Sequence, residues 1–415
     1  MRKKVILKGP ILTRSGYGEQ CRFALRALRS QPDIFDVFIL PIQWGTTSWV
    51  NHYDEEKEWI DQCIEKTIGY IGQGGQFDIS IQTTIPNEFE AMAPVNIGYT
   101  AGIETNKVAP EWIEKANQMD KTIVVSRHSQ QVFKNCSYMA KNSQTGESRQ
   151  LFLAKPVEFV NYPVKDFSNV SPIELDLKHD FNFLCVAQFG PRKNIPDTLQ
   201  WFVEEFHDEQ IGLVVKSNRT RNCLADREST FFAFKQILSK YPNRKCTVHL
   251  LHGDMSDAEM HALYTHEEIK AFVCLSHGEG FGLPFFESAY SALPVIAPGY
   301  SGQNDFLFNE EKKECFYNVA FDMQPVGKES VWKGVIPEDA QWAFPREVSA
   351  KENMRRCYED VINNTGHASR TDEYATALKE RFSKEEMYKQ FCEHVAPMSA
   401  EESEWHSSLS QIEIL

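Results

Sequence analysis

Strand-like apolar runs alternate with helical stretches along the first part of the chain, and this alternation constrains the fold more than any other feature. The runs predicted as strands cover residues 5–10, 36–40, 78–82, 95–100 and 122–126. Between them, apolar residues at helical spacing predict helices over 19–29, 55–71 and 110–118. Strands separated by helices in this way form a parallel sheet with helices on both faces.

A second alternating series follows a polar, proline-containing stretch. Its predicted strands are 181–187, 211–216, 247–251, 271–275 and 294–297, and its predicted helices are 195–207, 227–241, 257–265, 283–292, 346–363 and 372–395. The sequence therefore predicts an α/β protein with an N-terminal Rossmann-like domain (1–165), a linker (166–180), a C-terminal Rossmann-like domain (181–395) and an acidic tail (396–415). Doubly wound sheets bind ligands at the carboxyl ends of their strands, so we expect the site in the cleft between the domains.

The composition limits the class of protein. The 415 residues are 42% hydrophobic and 25% charged, as in globular chains long enough for two cores. No apolar run approaches the ~18 residues of a membrane-spanning helix, and none resembles a signal-peptide core, so we expect a cytoplasmic protein without a transmembrane segment. The net charge of −14 disfavours non-specific nucleic-acid binding, although the first 165 residues hold 19 basic and 18 acidic side chains and leave room for a basic cleft.

Cysteine and histidine spacing gives no support for a metal centre. The ten cysteines are never closer than 23 positions, whereas zinc and redox pairs place two ligands about two to four positions apart. The twelve histidines include no pair with the spacing of a metal-binding helix. We therefore expect reduced thiols and no bound metal. The chain also has no Gly-Lys-Ser/Thr phosphate loop, which disfavours nucleotide hydrolysis.

The most specific motif is Ser-His-Gly-Glu-Gly-Phe-Gly-Leu-Pro-Phe-Phe-Glu at residues 276–287, which follows a buried-type strand and opens a helix. Its glycines let backbone N–H groups approach an anion, and the N-terminus of the helix adds a partial positive charge. Glu287, one turn inside the helix, is placed to accept hydrogen bonds from vicinal hydroxyls of a sugar, while Glu279 lies on the loop. A glycine-rich turn with two solvated glutamates is the competing interpretation. The eight-residue spacing of the two glutamates favours the ligand site.

This motif, with Ala-Leu-Pro-Val-Ile-Ala at 292–297 and Gly-Gln-Asn-Asp-Phe at 302–306, resembles glycosyltransferase family 4. The resemblance implies the GT-B fold, in which an acceptor-side domain and a nucleotide-sugar-binding domain enclose the active site. By this resemblance Glu287 holds the donor ribose and Glu279 contacts the transferred sugar. The backbone amides that line the diphosphate and sugar site are those of Gly280, Phe281, Gly282 and Leu283.

Basic residues follow the first strand of the second domain, in Val-Ala-Gln-Phe-Gly-Pro-Arg-Lys-Asn at 186–194. By the same resemblance, Lys193 stabilises the negative charge that develops on the nucleotide diphosphate as it leaves. Gln188 stands where many members have an arginine, and Arg192 is the candidate that supplies the missing charge. Lys216, which ends the next predicted strand, is a further candidate for the donor pocket. Taken alone, the motif is equally consistent with an exposed basic turn.

The first domain carries weaker matches. Gly16 and Gly18 lie where these enzymes have a glycine-rich loop near the donor phosphate, although a plain tight turn explains the two glycines nearly as well. Glu104 follows the predicted strand 95–100, near a position where many members have a histidine. Its carboxylate is a candidate to orient or deprotonate an acceptor hydroxyl, and capping of the next segment is the alternative role.

The resemblance thus implies a retaining hexosyltransferase that uses a UDP- or GDP-sugar, such as a UDP-glucose-like donor, and requires no cofactor. Its hydroxyl acceptor is a glycan, lipid or protein, with a hydroxymethylated base in DNA as the less favoured possibility. Two alternatives are a catalytically silent GT-B module that binds sugars or nucleotides and a dehydrogenase-like nucleotide binder, which the incomplete glycine fingerprint disfavours. The sequence leaves the acceptor and the oligomeric state open.

The remaining candidates are interpreted as structural. His277, beside the glycine-rich loop, is predicted to be a loop residue and not a catalytic base. The segment 314–346 contains proline and three aromatic residues, Trp332, Trp342 and Phe344. We expect it to form a lid over the core of the second domain.

Overall fold

The computed structural model describes residues 2–141, 147–167 and 170–397, and within these ranges the chain forms two α/β domains. Most of the predicted acidic tail (396–415), from residue 398 onward, lies outside the described residues, as do residues 168 and 169 of the predicted linker. Among the described residues, no helix is both long and apolar enough to cross a membrane.

Within the described residues 2–141 and 147–167, the first domain contains eight strands and four α-helices. In chain order they are β1 (Lys3–Gly9), α1 (Gly16–Arg29), β2 (Phe35–Pro41), α2 (Glu55–Gly72), β3 (Ile79–Thr83), β4 (Val95–Thr100), α3 (Pro110–Ala116), β5 (Lys121–Val124), α4 (Arg127–Asn135), β6 (Ser137–Lys141), β7 (Ser148–Phe152) and β8 (Val157–Phe159). Six of the strands form one sheet in the order β2-β1-β3-β4-β5-β8, and every pair in it is parallel. The predicted parallel sheet is confirmed.

The second domain repeats this design. In chain order its elements are β9 (Asn182–Val186), α5 (Ile195–Glu205), β10 (Gly212–Lys216), α6 (Leu224–Leu238), β11 (Thr247–Leu251), α7 (Asp257–Tyr264), β12 (Ile269–Val273), α8 (Leu283–Tyr290), β13 (Val295–Pro298), α9 (Asn304–Leu307), β14 (Tyr317–Val319), β15 (Phe321–Pro325), β16 (Gln341–Pro345), α10 (Glu347–Asn363), α11 (Thr371–Arg381) and α12 (Lys384–Val395). Its parallel sheet has the order β11-β10-β9-β12-β13-β14.

Helices on both faces explain why consecutive residues of the central strands are buried. Val5, Ile6 and Leu7 are consecutive in β1 and all buried, and every residue of β3 is buried. Consecutive side chains of a strand point to opposite faces, so a run of this kind requires cover on both sides.

The structure also differs from the sequence-based prediction in several helices and strands. The antiparallel hairpins β6-β7 and β15-β16 and the helix α4 were not predicted. The predicted helix 372–395 is two helices, because the Ser383 side chain accepts a hydrogen bond from the backbone of Glu386 and starts α12. The predicted turn at Gly16–Gly18 is wrong: these residues form the first turn of α1, which Ser15 caps by accepting a hydrogen bond from the Gly18 amide.

The last helix packs against the first domain. Phe391 of α12 lies against Phe23 of α1 and Tyr99 of β4, with ring centroids 5.4 and 5.1 Å away. The chain therefore returns to the first domain after completing the second, and this aromatic cluster fixes the two domains to each other behind the cleft.

The segment 314–346 packs partly as expected. Trp342 and Phe344 lie against the His277 ring, with centroids 5.9 and 4.2 Å away, so they cover the glycine-rich loop. Trp332 is 57% exposed, so this residue does not take part in the expected lid over the core of the second domain. The segment instead reaches the first domain, where the Asn87 side chain donates a 2.8 Å hydrogen bond to the Gly334 carbonyl.

Candidate functional site

A cleft of about 1090 Å³ lies between the two domains. It is lined by the residues that follow the carboxyl ends of β1 and β4 in the first domain and of β9, β10 and β12 in the second. This is the edge at which doubly wound sheets bind ligands. The predicted site residues that line it are Gly16, Glu104, Gln188, Arg192, Lys193, Lys216, Glu279, Gly280, Phe281, Gly282, Leu283 and Glu287.

The glycine-rich loop joins β12 to α8 and packs closely against the first domain. Gly282 has a φ of +94° and serves as the N-cap of α8, a conformation that favours glycine. A Cβ atom on Gly280 would lie 2.8 Å from the carbonyl oxygen of Ala101, in the segment that follows β4. The loop therefore requires a glycine at 280 for contact between the domains, in addition to any contact with a ligand.

Glu279 is the centre of a buried ionic cluster at the base of the cleft. It is 5% exposed, and its Oε1 accepts hydrogen bonds from Lys193 Nζ at 2.6 Å and from the Ser276 hydroxyl at 2.7 Å. Its Oε2 accepts from Arg192 at 2.9 Å. Burial raises the pKa of Glu279, but the positive charges of Lys193 and Arg192 outweigh that effect and bring it to about 2. Glu279 is therefore ionised throughout the physiological range.

Arg192 connects this cluster to the first domain. Its Nε lies 3.2 Å from Glu104 Oε1, and its Nη1 donates a 2.6 Å hydrogen bond to the Gly278 carbonyl. Its own carbonyl accepts a 2.8 Å hydrogen bond from the His277 amide. Arg192 thus contacts two other predicted catalytic residues, Glu279 of its own domain and Glu104 of the first domain. In this arrangement Glu104 is an ion-pair partner.

A short 3₁₀ helix, Pro191–Lys193, presents the two cations. It ends at Asn194, which has a φ of +50° and begins α5. Asparagine tolerates this left-handed conformation better than most residues, so the Arg-Lys-Asn order has a local structural cause. The tight turn aims Arg192 and Lys193 at the same carboxylate.

Glu287 lies in α8, between the main cleft and a smaller cavity of about 270 Å³, and lines both. Its Oε2 accepts a 3.0 Å hydrogen bond from the Tyr264 hydroxyl. Burial raises the pKa of Glu287 to about 7, although the positive charge of Lys165 opposes the shift. This carboxyl is therefore half protonated near neutral pH, unlike Glu279.

Lys165 is a site residue that the sequence analysis missed. It ends the stretch assigned to the first domain, and its Nζ lies 3.1 Å from Glu19 of α1 and 2.7 Å from Asp257 of α7. It thus bridges the two domains beside Glu287. No sequence motif identifies Lys165, because it acquires these two partners only when the fold brings α1 and α7 together.

Gln188 and Lys216 lie on one side of the cleft and bond to backbone there. The Gln188 amide donates to the Arg219 carbonyl at 2.6 Å, and Lys216 Nζ donates to the Gly253 carbonyl at 2.5 Å. Burial lowers the pKa of Lys216, while Asp254 opposes that shift. Both side chains line the cleft, so the structure places them with the other predicted donor-binding residues.

Asp226 and His252 hold this side of the cleft together, and neither was predicted. The Asp226 carboxylate accepts hydrogen bonds from the amides of Arg219, Thr220 and Arg221, and lies 2.9 Å from His252 Nε2. Its pKa is held well below the ordinary value by these hydrogen bonds, despite its burial. The pair connects the loop after β10 to the loop after β11.

The two glycines of the first domain have different surroundings. A Cβ atom on Gly18 would lie 2.1 Å from the Thr13 carbonyl oxygen, so glycine is required there by packing within the domain. Gly16 has nothing within 4 Å of its Cβ position and lines the cleft. Beside it, the rings of Tyr17 and Trp44 pack with centroids 4.2 Å apart and also line the cleft, an aromatic pair that sequence reasoning missed.

Among residues 2–141, 147–167 and 170–397, no group of three or more His, Cys, Asp and Glu side chains is arranged to hold a metal ion. The charged residues of the cleft are instead arranged as ion pairs between carboxylates and Lys or Arg. Such a cleft suits a ligand that carries its own negative charge and competes for the cations.

Comparisons with known proteins found matches to a family model and to solved structures. Residues 170–321 match the family model described as glycosyl transferases group 1. The search of curated proteins found no match. Among solved structures, a glycosyltransferase from Rickettsia africae is similar over 95% of this chain and 98% of its own, with a TM-score of 0.59 and 14% identity.

Two further structures have the same fold. Sucrose-phosphate synthase from Thermosynechococcus elongatus is similar over 99% of both chains, with a TM-score of 0.58 and 14% identity. HepE from Anabaena, crystallised with UDP and glucose, is similar over 96% of this chain and 100% of its own, with a TM-score of 0.53 and 11% identity. The chain spans 55% of the length of another match, a longer TarM chain from S. aureus. The protein therefore has the two-domain GT-B glycosyltransferase fold, and its residues 170–321 match the glycosyl transferases group 1 model.

Proposed function

We propose that the protein is a retaining glycosyltransferase that moves a hexose from a nucleotide-diphosphate sugar of the UDP-glucose type to a hydroxyl acceptor. The observation that carries this proposal is the buried Glu279 carboxylate, held by Lys193 and Arg192 at the base of the interdomain cleft. The match of residues 170–321 to the glycosyl transferases group 1 model supports it. Membership of family 4, the retaining stereochemistry and the cytoplasmic location rest on the sequence alone.

The ligands bound in matched structures support the donor class. HepE was crystallised with UDP and glucose, and a matched E. coli structure, with a TM-score of 0.54 and 9% identity, is bound with UDP-2-fluoro glucose. In this chain the corresponding ligand needs cations for a diphosphate and hydrogen-bond acceptors for sugar hydroxyls. The cleft offers both within the two motifs 186–194 and 276–287.

In the proposed complex the donor diphosphate lies between Lys193, Arg192 and the backbone amides at the start of α8, where the helix dipole also favours an anion. Glu287 accepts hydrogen bonds from the ribose, and the Glu279 carboxylate stabilises the positive charge that develops on the sugar ring. The bond between the anomeric carbon and the phosphate oxygen breaks, and the acceptor oxygen bonds to the same face of that carbon. The acceptor proton passes to the departing diphosphate.

The ion pairs of the cluster determine how the cations respond to a donor. Lys193 and Arg192 both pair with Glu279, and Arg192 pairs with Glu104 as well. A diphosphate placed beside them adds negative charge to a site in which the positive charge is already balanced. We therefore propose that the donor draws Arg192 away from Glu104, which leaves that carboxylate free to face the acceptor.

The cleft favours an acceptor without a high negative charge. Eight basic and eight acidic residues line it, so its formal charge is zero before the donor enters. A nucleic-acid acceptor requires an excess of cations to neutralise phosphates. The Tyr17–Trp44 pair supplies an apolar ring surface against which a sugar face can pack. A glycan, lipid or protein hydroxyl is therefore favoured over a hydroxymethylated base in DNA.

The direct test is a donor screen with the full chain. UDP-glucose, UDP-N-acetylglucosamine and GDP-mannose are each incubated with the protein, with and without simple glucosides and with a hydroxymethylated DNA duplex, and nucleotide release is measured. Release with one donor, lost in Lys193→Ala and retained in Lys389→Ala, supports the proposal, since Lys389 is an exposed lysine of α12. The proposal is contradicted if calorimetry detects no binding of any nucleotide sugar.

The screen also distinguishes the catalytically silent alternative. A silent GT-B module binds a nucleotide sugar without releasing nucleotide, whichever acceptor is added. Binding by calorimetry combined with no release in every reaction would therefore favour the module over the enzyme. The presence of Glu279, Lys193 and Glu287 together in the cleft favours the enzyme, because the resemblance assigns this set to donor binding and catalysis.

A further inference from the structure

Helix α6 of the second domain has an exposed apolar surface. Leu224, Phe231 and Phe232 are 68%, 58% and 60% exposed. The helix packs against the domain through its opposite side, on which Asp226, Thr230, Ala233 and Phe234 are buried. Three large apolar side chains on the outer side of one helix are unusual for a surface that faces only water.

The same segment carries a positive charge in a protein whose net charge is −14. Residues 219–245 hold seven of the 44 basic residues and only two of the 58 acidic ones. Of those two, Asp226 is buried and bonded to three backbone amides, so its charge is already compensated. Arg227 and Lys235 lie on α6 itself and are exposed, beside the apolar side chains. Glu228 is the one exposed carboxylate of the helix.

The helix adjoins the rim of the cleft. The loop immediately before it contributes Asn218, Thr220 and Asn222 to the cleft lining. The Asp226 hydrogen bonds hold that loop to the first turn of α6. A surface that binds α6 would therefore lie next to the entrance of the cleft.

We propose that this surface, formed by Leu224, Arg227, Phe231, Phe232 and Lys235, docks the protein on a lipid bilayer that contains anionic headgroups. Apolar side chains flanked by Lys and Arg are the composition of helices that lie in the membrane interface. Outside this segment the chain has a net charge of −19, which lies in residues 166–415 because the first 165 residues are near neutral, so the segment favours one orientation of approach. The inference makes no assumption about the reaction in the cleft.

The shape of the surface favours a bilayer over a nucleic acid. Proteins that bind nucleic-acid strands line a groove with cations along the backbone and stack bases on aromatic rings. Here the apolar side chains project from the outer side of a single helix, and Leu224 has no flat face for stacking. A convex apolar surface with cations beside it fits the boundary between headgroups and acyl chains.

The test is co-sedimentation of the full chain with phosphatidylcholine vesicles, with and without about 30% phosphatidylglycerol. We expect binding to the anionic vesicles only, with a strong decrease at about 0.5 M salt, at which surface charges are screened. Substitution of both Phe231→Ser and Phe232→Ser should weaken binding about tenfold or more, since two large apolar side chains lose their buried environment. The matched control substitutes Val348→Ser and Ile362→Ser in α10, which are 68% and 62% exposed.

Each other outcome overturns the proposal. Failure of the wild-type chain to bind anionic vesicles contradicts it, as does equal binding by the Phe231→Ser, Phe232→Ser variant. A complex with duplex DNA that depends on the same two phenylalanines, without vesicle binding, would assign the surface to nucleic acid. A concentration-dependent dimer that this variant abolishes, again without vesicle binding, would assign it to self-association. Circular dichroism of the variant checks that the fold is retained.

Discussion

Arg192 of the second domain and Glu104 of the first form an ion pair across the base of the cleft, with 3.2 Å between Nε and Oε1. The same guanidinium donates to Glu279 at 2.9 Å, so one side chain balances two carboxylates from different domains. A change in the charge of either carboxylate would therefore change the contact between the two domains at Arg192. Any anion that binds Arg192 competes with a contact that holds the cleft together.

Glu104→Gln removes one of these competing carboxylates. Both partners are partly exposed, so the pair contributes at most about 1 kcal/mol, and we expect UDP affinity to rise by up to about fivefold. If Glu104 also acts on the acceptor, kcat falls in the same variant while the donor KM does not rise. Calorimetry with UDP and steady-state kinetics measure the two effects. Glu114→Gln, an exposed position in α3, is the control, and a weaker affinity for UDP in Glu104→Gln would contradict the competition.

Glu279→Gln keeps the shape of the side chain and removes its charge. We expect kcat to fall about 10²-fold or more if the carboxylate stabilises the transition state, while nucleotide binding is retained. The structure adds a cost in stability, since Lys193 and Arg192 lose a buried charged partner worth roughly 1.5–3 kcal/mol. Urea denaturation measures that cost. Normal turnover by the folded variant would show that the charge of Glu279 is not required for catalysis and that its role is structural.

The parts of this site that sequence reasoning located are those contained in continuous motifs. Glu279 and Glu287 share one strand-loop-helix unit, and Arg192 and Lys193 share one turn, so local spacing identifies both pairs. Both parallel sheets were predicted because strand-like runs alternate with helical stretches along the chain, which is the pattern of parallel strands joined by helices.

The missed residues act between segments that are far apart in sequence. Lys165 is significant because it reaches both Glu19 and Asp257, and Asp226 because it reaches His252. Neither set of contacts joins residues at a spacing that a sequence motif would reveal. The Gly16–Gly18 segment was misassigned because the cap is the serine before it, and a glycine pair resembles a turn more than the start of a helix.

Glu287 should give the protein a pH-dependent stability. Its pKa is about 7 in the folded protein and near 4.5 when unfolded, so the folded state binds the proton more tightly. Its contribution to stability is therefore present below the unfolded pKa and is lost as the pH rises through about 7. Glu287→Gln removes this loss, and the variant should gain stability over the wild type on going from about pH 5 to about pH 8.

Urea denaturation at several pH values measures this difference, with Glu352→Gln in an exposed turn of α10 as the control.

Donor binding offers a second measurement of the protonation of Glu287. A ribose hydroxyl donates best to the ionised carboxylate, so wild-type affinity for UDP should increase between about pH 6 and about pH 8, and Glu287→Gln should lose that increase. If UDP affinity changes with pH in the same way in the wild type and in Glu287→Gln, the assignment of Glu287 to the ribose is contradicted.

Asp226→Asn tests whether the loop after β10 must be held in place. The substitution weakens the acceptor for three backbone amides and the contact with His252, while no atom of Asp226 lines the cleft. We expect the donor KM to rise several-fold with little change in kcat, because the loop lines the proposed donor site and its contacts there would be the same before and during the reaction. Asp208→Asn, at a side chain that is 77% exposed, is the control. An unchanged KM would show that the loop keeps its position without this carboxylate.

Gly280→Ala tests the close approach of the two domains at the glycine-rich loop. The added Cβ would lie 2.8 Å from the Ala101 carbonyl oxygen, and because that atom belongs to the backbone, the loop and the first domain must separate. We expect a large loss of kcat with near-normal circular dichroism, since a shift of about 1 Å at the reacting groups lowers rates about 10²-fold. Gly69→Ala in α2, where nothing lies within 4 Å of the added atom, should leave activity unchanged. Full activity in Gly280→Ala would mean that the interdomain contact at this loop is not required for the reaction.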